Sequence, residues 1–116
     1  MTNTQISNQT LNKIITRIIS AKHVFAKILT LKELERYAKE RFDELKPIYE
    51  ALLKSDIETY VIYEMIAPKE IAEKLRKLKQ ETIKIDPELR HRILQLVEEM
   101  VKEYMTPQEI HKLLNN

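Results

Sequence analysis

The chain has 116 residues, contains no glycine and no cysteine, and balances 20 basic against 18 acidic residues. The lack of glycine excludes the glycine-rich loops that bind phosphates and disfavours an all-β fold, because primed hairpin turns use glycine. The lack of cysteine excludes disulfides, thiolate nucleophiles and thiolate metal sites. No apolar run approaches the roughly 18 residues of a membrane span and no signal peptide is recognised, so we expect a soluble, cytoplasmic protein.

The N-terminal quarter predicts one amphipathic helix. Its apolar residues recur at helical spacing over residues 11–29. The polar stretch before it, residues 1–9, is expected to be disordered or ordered by a partner. Residues 1–30 contain Lys13, Arg17, Lys22 and Lys27 and no acidic residue, so this part of the chain is positively charged.

Capping boxes and prolines predict the next boundaries. Residues 30–33 (TLKE) and 55–58 (SDIE) have the Ser/Thr-x-x-Glu pattern that begins a helix. Between them, Pro47 lacks a backbone donor, which predicts that the second helix ends or kinks near Lys46. Pro68 is expected to be the first residue of a fourth helix.

The C-terminal third contains one ambiguous segment. Residues 82–85 alternate polar and apolar side chains, which indicates either a short strand or an extended link. Asp86 and Pro87 then begin the helix with the cleanest apolar stripe, and the capping box at 106–109 predicts a last short helix. The sequence therefore predicts a single all-α domain, 1–116: a compact bundle of five to six short helices, with or without the extended segment.

No catalytic or metal-binding pattern is found in the sequence. Glu88 and His91 have the spacing of half a carboxylate-bridged di-metal site, but the chain has no second pair of this kind. His91 also lies between Arg90 and Arg92, away from the apolar stripe. His23 has no serine or carboxylate placed beside it by the sequence. We therefore expect no enzyme activity, no metal and no cofactor.

One segment resembles a DNA-binding family. Residues 81–89 (ETIKIDPEL) are similar to the strand and first helix of ribbon-helix-helix regulators, and residues 106–109 correspond to the start of their second helix. In that fold, strands from two copies pair and place alternate side chains in the major groove. The resemblance implies a homodimeric DNA-binding protein whose nucleic-acid contacts are Thr82, Lys84, Arg90 and Arg92.

A longer part of the chain, residues 6–104, resembles the small helical stalk protein of archaeal DNA-directed RNA polymerase. The similar stretches are 6–14, 31–39, 48–53, 65–68, 70–75 and 86–104. The resemblance implies a noncatalytic subunit of a transcription complex that binds the larger, barrel-containing protein of the polymerase stalk. The partner interface is then expected at Ile6, Ile14, Ile15, Ile18 and Phe25.

A third interpretation is a small helical adaptor of a virus or mobile element whose protein partner the sequence does not name. Abundant lysine, glutamate and isoleucine without cysteine agree with a thermophilic source. The resemblance to the archaeal polymerase protein implies an archaeal one.

Overall fold

The computed structural model describes residues 6–104 and residue 108. Within these residues the chain is helical with no strand, which confirms the all-α prediction. The described helices number seven, two or one more than predicted: α1 (Asn8–Ser20), α2 (Val24–Glu33), α3 (Glu35–Glu40), α4 (Phe42–Ser55), α5 (Ile57–Ile66), α6 (Lys69–Ile85) and α7 (Pro87–Tyr104). The capping box at 106–109 and the helix predicted after it lie outside the described residues, apart from Gln108.

Contacts between Cα atoms group the chain into two units. The first ends at Glu81 and contains α1 to α5 and most of α6. The second begins at Thr82 and contains the end of α6 and all of α7. No described helix combines the length and the apolar character that crossing a bilayer requires.

The core of the first unit forms around α4. This helix contacts α1, α3 and α5, while α2 contacts α1, α3 and α5. Tyr60 of α5 donates its hydroxyl to the carbonyl of Leu75 in α6, and Lys79 Nζ lies 2.8 Å from Glu64 Oε1, so α5 and α6 are joined by polar contacts. Buried side chains come from every helix of this unit, including Leu11, Ile18, Ile28, Leu31, Ala38, Leu45, Ile48, Leu53, Val61, Ile71 and Leu78.

The first predicted helix is two helices, not one. Ser7 caps α1, since its Oγ accepts a hydrogen bond from the Thr10 amide at 3.1 Å, and extended backbone at Ala21 ends the helix. In a continuous helix, Ile28 and Leu31 would be rotated away from the buried face of α1. The interruption over residues 21–23 therefore allows both helices to face the core.

Thr30 lies inside α2 and does not begin a helix, as the capping box predicted. Its hydroxyl donates to the Ala26 carbonyl at 3.2 Å, the back-bonding that serine and threonine adopt inside helices. The chain breaks instead at Leu34 and at Arg41, which separate α2, α3 and α4. Residues 30–33 therefore match the sequence pattern of a capping box but do not begin a helix.

Helix α4 continues through Pro47 to Ser55, so no helix ends near Lys46. Pro47 is exposed, whereas Leu45 and Tyr49 on either side of it are fully buried. Burial of such side chains stabilises by about 1.5–3 kcal/mol each, which is enough to offset the interior proline.

Helix α5 begins one residue later than its capping box predicted, because Asp56 is the N-cap and not Ser55. The Asp56 carboxylate accepts from the Thr59 amide at 3.3 Å and from the Thr59 hydroxyl at 2.8 Å. Helix α6 starts immediately after Pro68, one residue from the prediction.

The segment 82–85 is helical and forms the last turn of α6, so the extended segment is not formed. The Thr82 carbonyl accepts from the Asp86 amide at 2.9 Å. Helix propagation from the preceding turns outweighs a short alternating pattern with β propensity. Pro87 then disfavours helical geometry at Asp86, so α6 ends there and α7 begins at Pro87, as predicted.

Candidate protein-interaction surface

The isoleucines predicted as an interface lie mainly against α4. Ile18 is fully buried, and it lines the narrow α1–α4 contact together with Ile15 and Ile48. Ile14 and Ile15 are only partly exposed, and the Ile6 amide points to a carboxylate oxygen in the first turn of α4. These four residues therefore border the core of the first unit and leave little apolar area for a partner.

Phe25, the fifth residue of the predicted interface, lies on the outside. Its side chain is 72% exposed, and Leu29, one helical turn further along α2, is 46% exposed. Ile28 and Leu31 of the same helix are buried and lie to one side of Phe25, about 60° and 120° around the helix axis. Residues four apart on a helix are neighbours, so Phe25 and Leu29 form one apolar face together with exposed Ala26. We call these three residues the α2 surface.

Charged side chains of opposite sign lie at the two ends of the α2 surface. Lys22 is exposed two residues before α2, and Glu33 is exposed one turn after Leu29. Lys27 is not one of these end charges, because its Nζ lies 2.6 Å from the Asp56 carboxylate at the start of α5. Lys32, beyond Leu29, remains 45% exposed and pairs with Glu35 at 3.3 Å.

Three tyrosines of the first unit are buried and structural, whereas Tyr37 of α3 is 50% exposed. The hydroxyl of Tyr63 donates to Glu35 Oε2 at 3.0 Å and that of Tyr60 donates to the Leu75 carbonyl, whereas that of Tyr49 has no partner. Burial is the main cause that raises the pKa of each of these tyrosines above the usual range, so all three are neutral donors.

A cleft of about 460 Å³ lies between the α3–α4 junction and α6. Lys74 borders it, with its Nζ 5.7 Å from the centre of the Phe42 ring and 3.5 Å from the Lys39 carbonyl. The lining residues carry four basic and four acidic groups and include no histidine or hydroxyl nucleophile: Glu40, Arg41, Phe42, Asp43, Glu44, Lys46, Lys74, Lys77, Leu78 and Glu81. This composition offers no acid–base or nucleophilic constellation.

The residues assigned to DNA contact by the ribbon-helix-helix resemblance lie on helices. Thr82 is partly buried and Lys84 is exposed, both in the last turn of α6. Arg90 and Arg92 are exposed on α7, and residues two apart on a helix point in different directions. The paired strands that would place these side chains in a major groove are absent from residues 80–86. Over residues 6–104, no group of three or more acidic or histidine side chains is arranged to hold a metal ion.

Comparison of the chain with protein-family models, with curated proteins and with solved structures gave no match. The function is therefore argued from the exposed side chains of the α2 surface.

Proposed function

We propose that this chain is a noncatalytic protein-interaction subunit that binds its partner through the α2 surface. The observation that supports the proposal is the pair Phe25 and Leu29, which expose an aromatic and an aliphatic side chain on one helix face. Aromatic side chains that insert into a partner's pocket supply much of the affinity of protein interfaces. Removing a phenylalanine side chain from water is worth about 1.5–3 kcal/mol, which would be one favourable contribution to docking.

The charge around the α2 surface indicates the chemistry of the partner. Exposed Lys22 lies at its N-terminal edge, and exposed Glu33 lies one turn after Leu29 at the other edge. A pocket that accepts Phe25 and carries a carboxylate near Lys22 and a cation near Glu33 would be complementary in both shape and charge. Such rim charges mainly accelerate association and select the partner, while the apolar anchors supply the affinity.

The resemblance to the small helical stalk protein of archaeal RNA polymerase supplies one specific candidate partner, the larger stalk protein, and with it a role in transcription. Under this proposal Phe25 is the residue of the expected interface that makes contact, whereas Ile15 and Ile18 line the α1–α4 contact. The adaptor interpretation uses the same surface with a different protein. Both versions require that the α2 surface be the point of contact.

The test is affinity capture from cells of the native host with three tagged forms of the full chain: wild type, Phe25→Asp and Met65→Asp. Met65 is a matched control because it is also 72% exposed. It lies near the end of α5, whereas Lys27 of α2 pairs with Asp56 at the start of α5. Circular dichroism verifies that the variants keep the wild-type helix content.

We expect a partner that the wild type and Met65→Asp retain and that Phe25→Asp loses. Recovery of polymerase subunits would support the transcription role, and recovery of another protein would support the adaptor role. Equal capture by all three forms would refute the α2 surface as the docking site.

A further inference from the structure

Helix α7, in the second unit, exposes an apolar strip along one side. Leu94 is 54% exposed, and Val97 and Val101 are partly exposed. These residues lie at positions i, i+3 and i+7 of one helix face. Leu89 and Ile93, on the adjoining face, are already buried. Leu96 and Met100 of α7 are also partly exposed, but Leu94, Val97 and Val101 share one side of the helix. We call these three residues the Leu94 strip.

Charged side chains of opposite sign lie on either side of Leu94 along the helix. Arg90 is exposed one turn before Leu94, and Glu98 is exposed one turn after it. Glu98 lies 4.0 Å from Lys102, and both side chains are largely exposed, so this contact competes weakly for its charge. Along the helix the order is therefore a cation, the exposed Leu94 with Val97, and an anion, and Val101 follows the anion.

We propose that a second copy of this chain covers the Leu94 strip, with the two α7 helices antiparallel. A surface that reads cation, apolar, anion is complementary to its own reversed copy, as a twofold interface requires. When Leu94 of each copy packs against Val97 of the other, Arg90 comes within three residues, or about 4.5 Å along the axis, of Glu98 in the second copy. Val101 then covers the aliphatic part of the Arg90 side chain. A parallel pair would instead place like charges together.

The interface is small, because three apolar side chains from each copy bury far less than the roughly 1,200 Å² of a standard stable complex. We therefore expect a weak dimer that forms with rising protein concentration. Sedimentation equilibrium of the full chain, over a range of concentrations at low and high salt, measures this association directly. High salt should weaken it because the ion pairs are exposed.

Charge reversal provides the decisive variants. Arg90→Glu alone and Glu98→Arg alone should each weaken dimerisation roughly tenfold, because the twofold axis repeats every changed contact. The double variant Arg90→Glu/Glu98→Arg should restore association to within a few-fold of wild type, since each pair is then inverted but intact. Failure of the double variant to recover would overturn the antiparallel arrangement.

Apolar variants test the strip itself. Leu94→Asp should abolish the dimer, whereas Ile85→Asp should leave it unchanged, because Ile85 is 86% exposed but belongs to α6. A wild-type chain that stays monomeric at every concentration, or a dimer that tolerates Leu94→Asp, would refute the proposal. The proposal is independent of the α2 surface, because Leu94→Asp should still capture whatever partner Phe25 binds.

Discussion

The three buried tyrosines provide a direct test of the hydrogen bonding in the core. Tyr49 is fully buried, and its hydroxyl has no hydrogen-bond partner, although its ring stacks on Phe42 at 5.1 Å between centroids. An unsatisfied buried polar group costs about 1–3 kcal/mol. Tyr49→Phe removes this hydroxyl and keeps the stacked ring, so we expect the free energy of unfolding to stay constant or rise by up to about 1 kcal/mol.

Tyr60 and Tyr63 are matched controls, because the same substitution there removes a hydroxyl that has a partner. Tyr60→Phe should cost about 1 kcal/mol, and Tyr63→Phe about 1–2 kcal/mol because its acceptor is the Glu35 carboxylate. Urea denaturation monitored by circular dichroism measures the free energy of unfolding of all three variants. In thermal melts, each 1 kcal/mol of that free energy should move the melting temperature by roughly 4 °C. The reasoning is refuted if Tyr49→Phe destabilises as much as the two controls.

Three further predictions follow from the same contacts. Burial raises the pKa of the three tyrosines, so above about pH 10 the folded chain keeps protons that the unfolded chain loses. The free energy of unfolding should therefore be constant from about pH 8 to 9 and then fall as pH rises, by up to about 4 kcal/mol per pH unit. Alkaline titration of tyrosine absorbance would detect the ionisation that accompanies unfolding. Asp56→Ala removes both the cap of α5 and the partner of Lys27 and should cost about 2–4 kcal/mol in urea denaturation, more than Lys27→Met, which leaves the cap intact. Pro47→Ala restores an amide donor inside α4 at an exposed position and should raise the free energy of unfolding by about 1–2 kcal/mol; a loss of stability in thermal melts would contradict the account of α4.

The sequence could predict the fold class and those boundaries that depend on local backbone chemistry. Pro68 and Pro87 mark the starts of α6 and α7 to within one residue, because proline constrains itself and the residue before it wherever it occurs. Thr30 as an N-cap and Pro47 as the end of a helix were misleading for the opposite reason. Their local signals are weak compared with the burial of Leu31, Leu45 and the residues around them, and only the tertiary packing determines that burial.

The candidate surface was only partly predictable. An amphipathic pattern identifies which residues share a helix face, but it does not say whether the core or a partner covers that face. Ile18 and Phe25 fit one continuous stripe in sequence, yet the interruption over residues 21–23 turns the first inward and the second outward. The sequence did contain a signal of the interruption, because helical spacing does not place Ile28 and Leu31 on the same helix face as Ile18.

The absence of glycine affects how the helices are joined. A common helix ending places its C′ residue in the left-handed region, usually as glycine, because a Cβ there costs about 1–2 kcal/mol. No residue with positive φ occurs in the described ranges, so these helices end in other ways. Ala21 and Ala67 turn to extended backbone, and single residues with negative φ, Leu34, Arg41 and Asp56, separate successive helices. Each of these junction residues carries a side chain, so it has fewer backbone conformations in the unfolded chain than a glycine would have, and less entropy is lost on folding. The same restriction limits the angles available between neighbouring helices.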